Sequence, residues 1–123
     1  GFSALHLASY FGNADTVRLL LDNGAEIDKI AMNGSGLSPL QSAVSSLHLD
    51  VVKILLEYKP DVNIQMVGGF TPLMSAAALG SFEIVALLMK YGADVFQEAD
   101  DGRLANNFAA SAGHEKLATI LSV

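Results

Sequence analysis

The sequence predicts an all-α fold built from stacked helix–turn–helix units. The first observation is repetition, because one pattern is spelled four times, starting at Gly1, Gly36, Gly69 and Gly102. The second is that each copy holds two short apolar segments with helical spacing, separated by a turn. The third is that helix start and stop residues recur at the same places in successive copies. A chain with such a period buries its apolar surface by stacking each unit on the next.

The third copy, residues 69–94, shows the unit most clearly. Thr71 is a good N-cap because its hydroxyl can accept a backbone N–H of the first helical turn. Pro72 follows at the first helical position, where its missing N–H costs nothing. A second helix is predicted after Ser81, and Gly92 stands where a helix end commonly needs a left-handed residue. The stretch therefore predicts two short helices joined by a tight turn.

The first copy predicts helices over about Ala4–Tyr10 and Asp15–Asp22, with Asn13 as the cap of the second. Its apolar residues recur at helical spacing and should face neighbouring helices: Leu5, Ala8, Val17, Leu20 and Leu21. The connecting segment that follows is two residues longer than its counterparts and contains the turn signal Asn33-Gly34.

The second copy departs from the pattern at two places. Leu47 replaces the glycine of the turn, and Lys59-Pro60 replaces the closing Gly-Ala. Because the residue before a proline avoids the helical region, the second helix should end by about Tyr58, through a different cap.

The last copy should form the polar end of the stack. Asn106 and Ser122 stand where the other copies have apolar residues, and terminal repeats are atypical because one face meets water. The first copy keeps Leu5, Leu7 and Leu20 apolar. We therefore expect either further residues upstream or a neighbour to cover its outer face.

The repeated positions resemble the ankyrin repeat, whose period is 33 residues and whose motif is Thr-Pro-Leu-His-x-Ala. The matching residues are Ser3, Ser38 and Thr71; Pro39 and Pro72; His6; Ala8, Ala43, Ala76 and Ala109; and the turn glycines Gly12, Gly80 and Gly113. The resemblance implies one ankyrin-repeat domain over residues 1–123, with repeats at about 1–35, 36–68, 69–101 and 102–123. It also implies a right-handed, slightly curved stack whose connecting segments project as β-turn fingers.

Composition bounds the classes of function. The chain has 123 residues, 51% of them apolar, and a formal net charge of −6. Such a charge repels nucleic acid phosphates and anionic lipids, and no apolar run approaches the roughly 18 residues of a membrane span. The absence of cysteine excludes disulfides and thiolate metal sites. We expect a monomeric protein of a reducing compartment, the cytoplasm, with a secreted effector as the alternative.

The candidate catalytic and metal patterns are weak. The three histidines lie in different repeats without a ligand pair at i and i+4; the resemblance makes His6 a backbone-bonding residue. Glu98, Asp100 and Asp101 lack the alternate ligands and final glutamate of an EF-hand. No phosphate-binding loop or Gly-x-Ser-x-Gly motif is present. We predict no catalytic residue, no metal and no cofactor; an acidic metal- or small-ligand-binding enzyme is the least favoured class.

Two surface positions differ between copies: the one directly after the opening glycine and the one at the end of the first helix. Because the core positions repeat and these two do not, packing does not dictate the residues found there. The family resembled places both positions on its concave side, beside the finger tips. The candidate partner-binding residues are Phe2, Tyr10, Phe11, Met32, Leu37, Ser45, Ser46, Met66, Val67, Phe70, Ala78, Leu79, Glu98, Asp100 and Arg103. For Phe2 and Phe70, packing between repeats is the competing interpretation. The apolar residues of this set should form an exposed strip, and exposed apolar strips usually mark a partner site.

The predicted function is non-catalytic binding of another protein through the concave face. The alternative is a regulatory or targeting ankyrin segment of a larger enzyme or secreted effector.

Overall fold

The computed structural model describes residues 2–122, which form eight α-helices and contain no strand. The helices are α1 (Ala4–Phe11), α2 (Ala14–Asp22), α3 (Pro39–Ser45), α4 (Leu49–Glu57), α5 (Pro72–Leu79), α6 (Phe82–Lys90), α7 (Ala105–Ser111) and α8 (Glu115–Leu121). The all-α prediction is confirmed.

The helices form two rows. In the inner row, α1 packs on α3, α3 on α5 and α5 on α7; in the outer row, α2 packs on α4 and α4 on α6. Each inner helix also packs on the outer helix that follows it. The core lies between the rows, and its fully buried leucines are Leu40, Leu55, Leu56, Leu73, Leu88 and Leu117. The fold is therefore a stack of helix pairs in which each pair covers the next.

The inner helices begin at capped residues. The hydroxyls of Ser3, Ser38 and Thr71 accept the backbone N–H three residues on, at 3.3, 3.2 and 3.3 Å. The Thr71-Pro72 start is thus confirmed. Asn13 does precede α2, but its side chain makes no cap hydrogen bond, so that part of the prediction is wrong.

The closing loop of the second copy keeps the geometry of the others. Lys59 adopts the left-handed conformation, with φ of 56°, where the first and third copies have glycine. The prediction that α4 ends by about Tyr58 is confirmed, and the cap differs from the others in its hydrogen bonds although not in its left-handed residue. What differs is one hydrogen bond. The amides of Ala25 and Ala93 donate to carbonyls of the preceding helix at 3.0 and 2.9 Å, whereas Pro60 has no N–H to donate.

The turn between the two helices of a pair is matched to the next repeat. A Cβ on Gly12, whose φ is 76°, would lie 2.7 Å from Nδ1 of His48. The third turn repeats the arrangement, with the His114 ring 2.5 Å from a Cβ built on its glycine. The second turn holds Leu47 at φ 57°, and the next repeat has Ser81 in place of histidine. A turn glycine therefore occurs together with a histidine in the next repeat, because the imidazole ring occupies the space that a side chain at the turn would need.

The connecting segments fold as fingers, which we number in chain order as residues 29–35, 63–69 and 96–101. Each is closed by a backbone bond of 2.9 Å, and the bond of the first finger encloses two more residues, as predicted. Neighbouring fingers are joined by backbone bonds of 3.0 Å, Val67 N–H to the Ser35 carbonyl and Asp100 N–H to the Gly68 carbonyl. These bonds tie each finger to the next one along the stack.

The C-terminal end carries the expected polar pair. The Asn106 amide donates to the Ser122 hydroxyl at 3.0 Å, and this hydroxyl donates to the Ala118 carbonyl at 2.6 Å. At these two positions the other repeats carry apolar residues. The last repeat instead carries polar side chains that are bonded to each other.

The stack predicts that stability depends on a repeat's neighbours. Leu88 is fully buried, whereas Leu20, at the same position of the first repeat, is only half-buried. Leu88→Ala should cost about 2–5 kcal/mol, and Leu20→Ala about 1–2 kcal/mol because less apolar area is lost. Urea denaturation measures both, and equal losses would contradict the stack.

The turn predicts a coupling between two repeats. Gly12→Ala should cost about 2–4 kcal/mol, from left-handed strain and from overlap with His48. Gly24→Ala, where a Cβ meets nothing within 4 Å, should cost only the strain of about 1–2 kcal/mol. Adding His48→Ser to Gly12→Ala should make the combined loss smaller than the sum of the single losses. Additive losses in the denaturation cycle would show that the ring does not restrict the turn.

Candidate functional site

The inner face is the surface formed by α1, α3, α5 and α7 together with the tips of the three fingers. The four inner helices contain no Asp, Glu, Lys or Arg. Charge reaches this face only through the fingers and their flanks, where it is concentrated in the third.

A cavity of about 350 Å³ opens on the inner face between α1 and α3, and we name it the N-terminal pocket. Its lining consists of Phe2, His6, Leu7, Tyr10, Phe11, Leu37 and Ser42. Four of these residues were predicted as partner-binding, and the structure brings them together. Tyr10 and Phe11 pack edge to face with ring centroids 5.1 Å apart, which holds the rim of the pocket.

The pocket exists because one side chain is small. At the other end of the stack, Phe70 packs edge to face against Phe108, with ring centroids 5.6 Å apart. The equivalent pair at the N-terminal end is Phe2 and Ser42. A serine does not fill the space that a phenylalanine fills, so the N-terminal end keeps an opening where the C-terminal end is closed.

The His6 and Ser42 side chains of the pocket are already hydrogen-bonded within the chain. His6 Nε2 donates to the Leu37 carbonyl at 2.8 Å, and its Nδ1 accepts from the Ser3 amide at 3.2 Å. The Ser42 hydroxyl donates to the Ser38 carbonyl at 3.2 Å. These bonds leave the pocket with an apolar surface and little capacity to bind a polar ligand.

The other two histidines have structural positions as well. His48 Nε2 bonds to the Tyr10 carbonyl at 2.9 Å, which ties the second repeat to the end of α1. The His114 ring lies against the turn glycine of the third repeat. In residues 2–122, no group of three or more His, Asp and Glu side chains is placed to hold a metal ion.

Small residues occupy the middle of the inner face. Ser45 is exposed and Ser46 half-buried at the end of α3, and Ala78 is half-buried in α5. Leu79 is exposed, but these small residues separate it from the N-terminal pocket. Of the predicted residues at the ends of the inner helices, Tyr10 and Phe11 line the pocket, whereas Leu79 does not.

The first two fingers present apolar tips. Met32 is 80% exposed and Val67 61% exposed, while Met66 is half-buried. At the bases of the fingers, Leu37 faces the pocket and Phe70 is half-buried against α7. Packing between repeats therefore accounts for Phe70.

The third finger forms the charged end of the face. Glu98 and Asp100 are exposed. Arg103 is exposed too, but its Nε lies 2.7 Å from Asp101 Oδ2 and its guanidinium stacks 4.2 Å from the centre of the Phe108 ring. The Arg103 backbone N–H, together with its side chain, holds the pKa of Asp101 below the usual value. Arg103 is thus committed to contacts within the chain.

Sequence reasoning missed two residues of this face, Leu7 and Phe108. Leu7 is 47% exposed and lines the pocket, and Phe108 fills the equivalent space at the other end. Both occupy one repeat position, which is serine in the second and third copies. This position varies between copies as the predicted ones do, so the same criterion would have found it.

Comparison with known proteins agrees with this architecture. The family model for ankyrin repeats in three copies matches residues 1–66 and 60–122. The chain belongs to the ankyrin repeat family. Ankyrin repeats generally mediate protein–protein interaction and are generally non-catalytic. No helix within residues 2–122 combines the length and apolar character needed to span a bilayer.

Several ankyrin relatives resemble about half of the chain. A B-cell lymphoma 3 protein homolog of Mus musculus is 44% identical over 69 residues, 56% of this chain and 15% of that protein. A putative ankyrin repeat protein of Rickettsia bellii is 39% identical over 66 residues, covering 53% and 27%. A putative ankyrin repeat protein of Fowlpox virus is 44% identical over 66 residues, covering 53% and 19%. The matched region thus spans about a quarter or less of these relatives.

The two ends of the inner face predict different consequences for aromatic substitutions. Phe70→Ala should cost about 1.5–3 kcal/mol, because the ring is half-buried against Phe108. Phe11→Ala, at a ring that is 65% exposed, should change the free energy of unfolding by about 0.5 kcal/mol or less. Chemical denaturation distinguishes the two, and a large loss for Phe11→Ala would make that residue structural.

Proposed function

We propose that this ankyrin segment binds another protein through its inner face, which is the concave face of the family, with the N-terminal pocket as the main contact. The observation that carries the proposal is an open, largely apolar cavity in which the His6 ring, the Leu37 carbonyl and the Ser42 hydroxyl are already bonded within the chain. Water does not favour such a surface, and contiguous exposed apolar patches commonly mark interaction sites.

The rim residues are suited to binding energy. Tyr10 and Phe11 are more than half exposed, and Leu7 nearly so. In protein interfaces a few large side chains carry most of the binding energy, at roughly 2 kcal/mol or more each. The partner should insert an apolar side chain between them.

The residues of this chain carry no arrangement that we assign to catalysis, and we propose no cofactor or metal. The net charge of −6 disfavours nucleic acid and anionic membranes as partners. We propose that the segment acts as a monomer, binding a protein of a different kind.

A second function is favoured by the length of the relatives, which are several times longer than the matched region. In that case the segment would regulate or target a larger enzyme or effector. Sequencing the transcript on both sides of this region separates the two, because only the second function requires a catalytic or effector portion in the same chain.

The pocket predicts a binding defect without a folding defect. After affinity capture and mass spectrometry identify a partner, Tyr10→Ala and Phe11→Ala should each weaken its binding about tenfold or more. Both side chains lie on the pocket rim and are largely exposed. Calorimetric titration of the purified pair, beside melting curves of each variant, measures the two effects.

Leu19→Ala is the matched control, because Leu19 is 63% exposed but lies on the outer helix α2. It should leave the affinity within about twofold. Unchanged affinity in both aromatic variants would place the partner site away from the pocket. The same conclusion would follow if affinity fell only in step with the melting temperature.

A further inference from the structure

We propose that the partner segment recognised by this protein is extended and carries a large apolar side chain for the N-terminal pocket and a Lys or Arg about five or six residues away, facing the third finger. This inference rests on the proposed function, since it names the chemistry of the partner at the same face.

The apolar requirement comes from the pocket. Its volume of about 350 Å³ is near the lower limit of small-molecule sites, which favours one or two side chains over a cofactor. The Leu37 carbonyl and His6 ring at its base are already bonded to each other. A Leu, Met or Phe side chain fits such a site, whereas a polar one would lose its hydrogen bonds to water.

The basic requirement comes from charge on the third finger. Asp101 is paired with Arg103, but neither Glu98 nor Asp100 forms an ion pair within the described residues 2–122. Because the inner helices carry no charged residue, these two carboxylates set the potential of that end of the face. An ammonium or guanidinium group is the complementary partner.

The backbone that carries the two carboxylates is held in place. The Gln65 amide donates to the Glu98 carbonyl at 3.1 Å and to the Gly69 carbonyl at 3.0 Å, joining the second and third fingers. The Asp100 amide donates to the Gly68 carbonyl at 3.0 Å. Fixed positions lower the ordering cost of a binding site, so the finger acts as a preformed contact.

Small side chains lie near the ends of the two middle inner helices, at Ser45, Ser46 and Ala78. An extended backbone can approach the helices at these residues.

The spacing follows from the stack. The pocket lies between α1 and α3, and the third finger leads from the third repeat into α7. Packed helices lie about 8–10 Å apart, so two steps along the inner row separate the two contacts by roughly 16–20 Å. An extended chain advances about 3.3 Å per residue. About five or six residues therefore separate the apolar anchor from the basic residue.

Selection from a random dodecapeptide library displayed on phage tests the proposal without knowledge of the natural partner. The purified protein should enrich peptides in which a Leu, Met or Phe stands five or six residues from a Lys or Arg. Parallel selections use Tyr10→Ala/Phe11→Ala, which should lose the apolar preference, and Glu98→Gln/Asp100→Asn, which should lose the basic one. Glu83→Gln/Glu115→Gln removes the same charge from outer helices and should select the same peptides as the parent chain.

Titration of one selected peptide adds the quantitative readout. Its affinity should fall about tenfold for Glu98→Gln/Asp100→Asn and less than twofold for Glu83→Gln/Glu115→Gln. Raising the salt concentration about tenfold, from roughly 0.05 to roughly 0.5 M, shortens the Debye length and screens charge pairs. Binding of the peptide to the parent chain should therefore weaken, whereas its binding to Glu98→Gln/Asp100→Asn should not.

The outcomes separate the two proposals. Peptides that depend on Tyr10 and Phe11 but carry no basic residue at a fixed spacing would overturn this inference and leave the proposed function standing. No enrichment would overturn this inference alone, and enrichment that is unaffected by Tyr10→Ala/Phe11→Ala would overturn both.

Discussion

The shape of the inner face depends on a hydrogen bond from an inner helix to the finger base of the next repeat. His6 makes this bond to the Leu37 carbonyl at 2.8 Å, and Gln41 makes the same bond to the Phe70 carbonyl at 3.0 Å. His6 and Gln41 are fully buried, and an unpaired buried donor costs about 1–3 kcal/mol. The bond therefore fixes where each finger leaves the stack, and with it the side chains that flank the finger base.

The third junction replaces this polar contact with an apolar one. Met74 occupies the position of His6 and Gln41, and a thioether has no N–H to donate. The Phe70 ring packs against the Phe108 ring, and the Arg103 guanidinium stacks on Phe108. The same repeat position that carries Phe108 carries Ser42 in the second repeat, so the C-terminal end of the face is filled and the N-terminal end is open. This asymmetry gives the repeat stack an open apolar pocket at one end.

The stack accommodates residues that the repeat pattern disfavours. Leu47 and Lys59 take the left-handed conformation of the glycines they replace, because the flanking helices fix the path of the chain. The price is local strain, together with the hydrogen bond that Pro60 lacks. At the turn, the residue of one repeat and the residue packed on it from the next repeat vary together. A histidine packs over a turn glycine, whereas a serine stands in the repeat that follows the leucine turn. Departures from the pattern are thus compensated in the adjacent repeat.

The sequence by itself determined the local and periodic features of this protein. Caps such as Thr71, the ends of α4 and α6, the longer first finger and the apolar core all follow from residue type and spacing, because these depend on contacts within one repeat or on positions that recur. Four pocket residues, including Tyr10 and Phe11, were also found from their variation between copies. Only the tertiary structure decided which aromatic rings are available. Phe2 and Phe70 occupy one repeat position, but their surroundings depend on Ser42 and Phe108 of the next repeat, about 40 residues away. Exposure is set by such distant neighbours, and residue spacing within a copy carries no information about them.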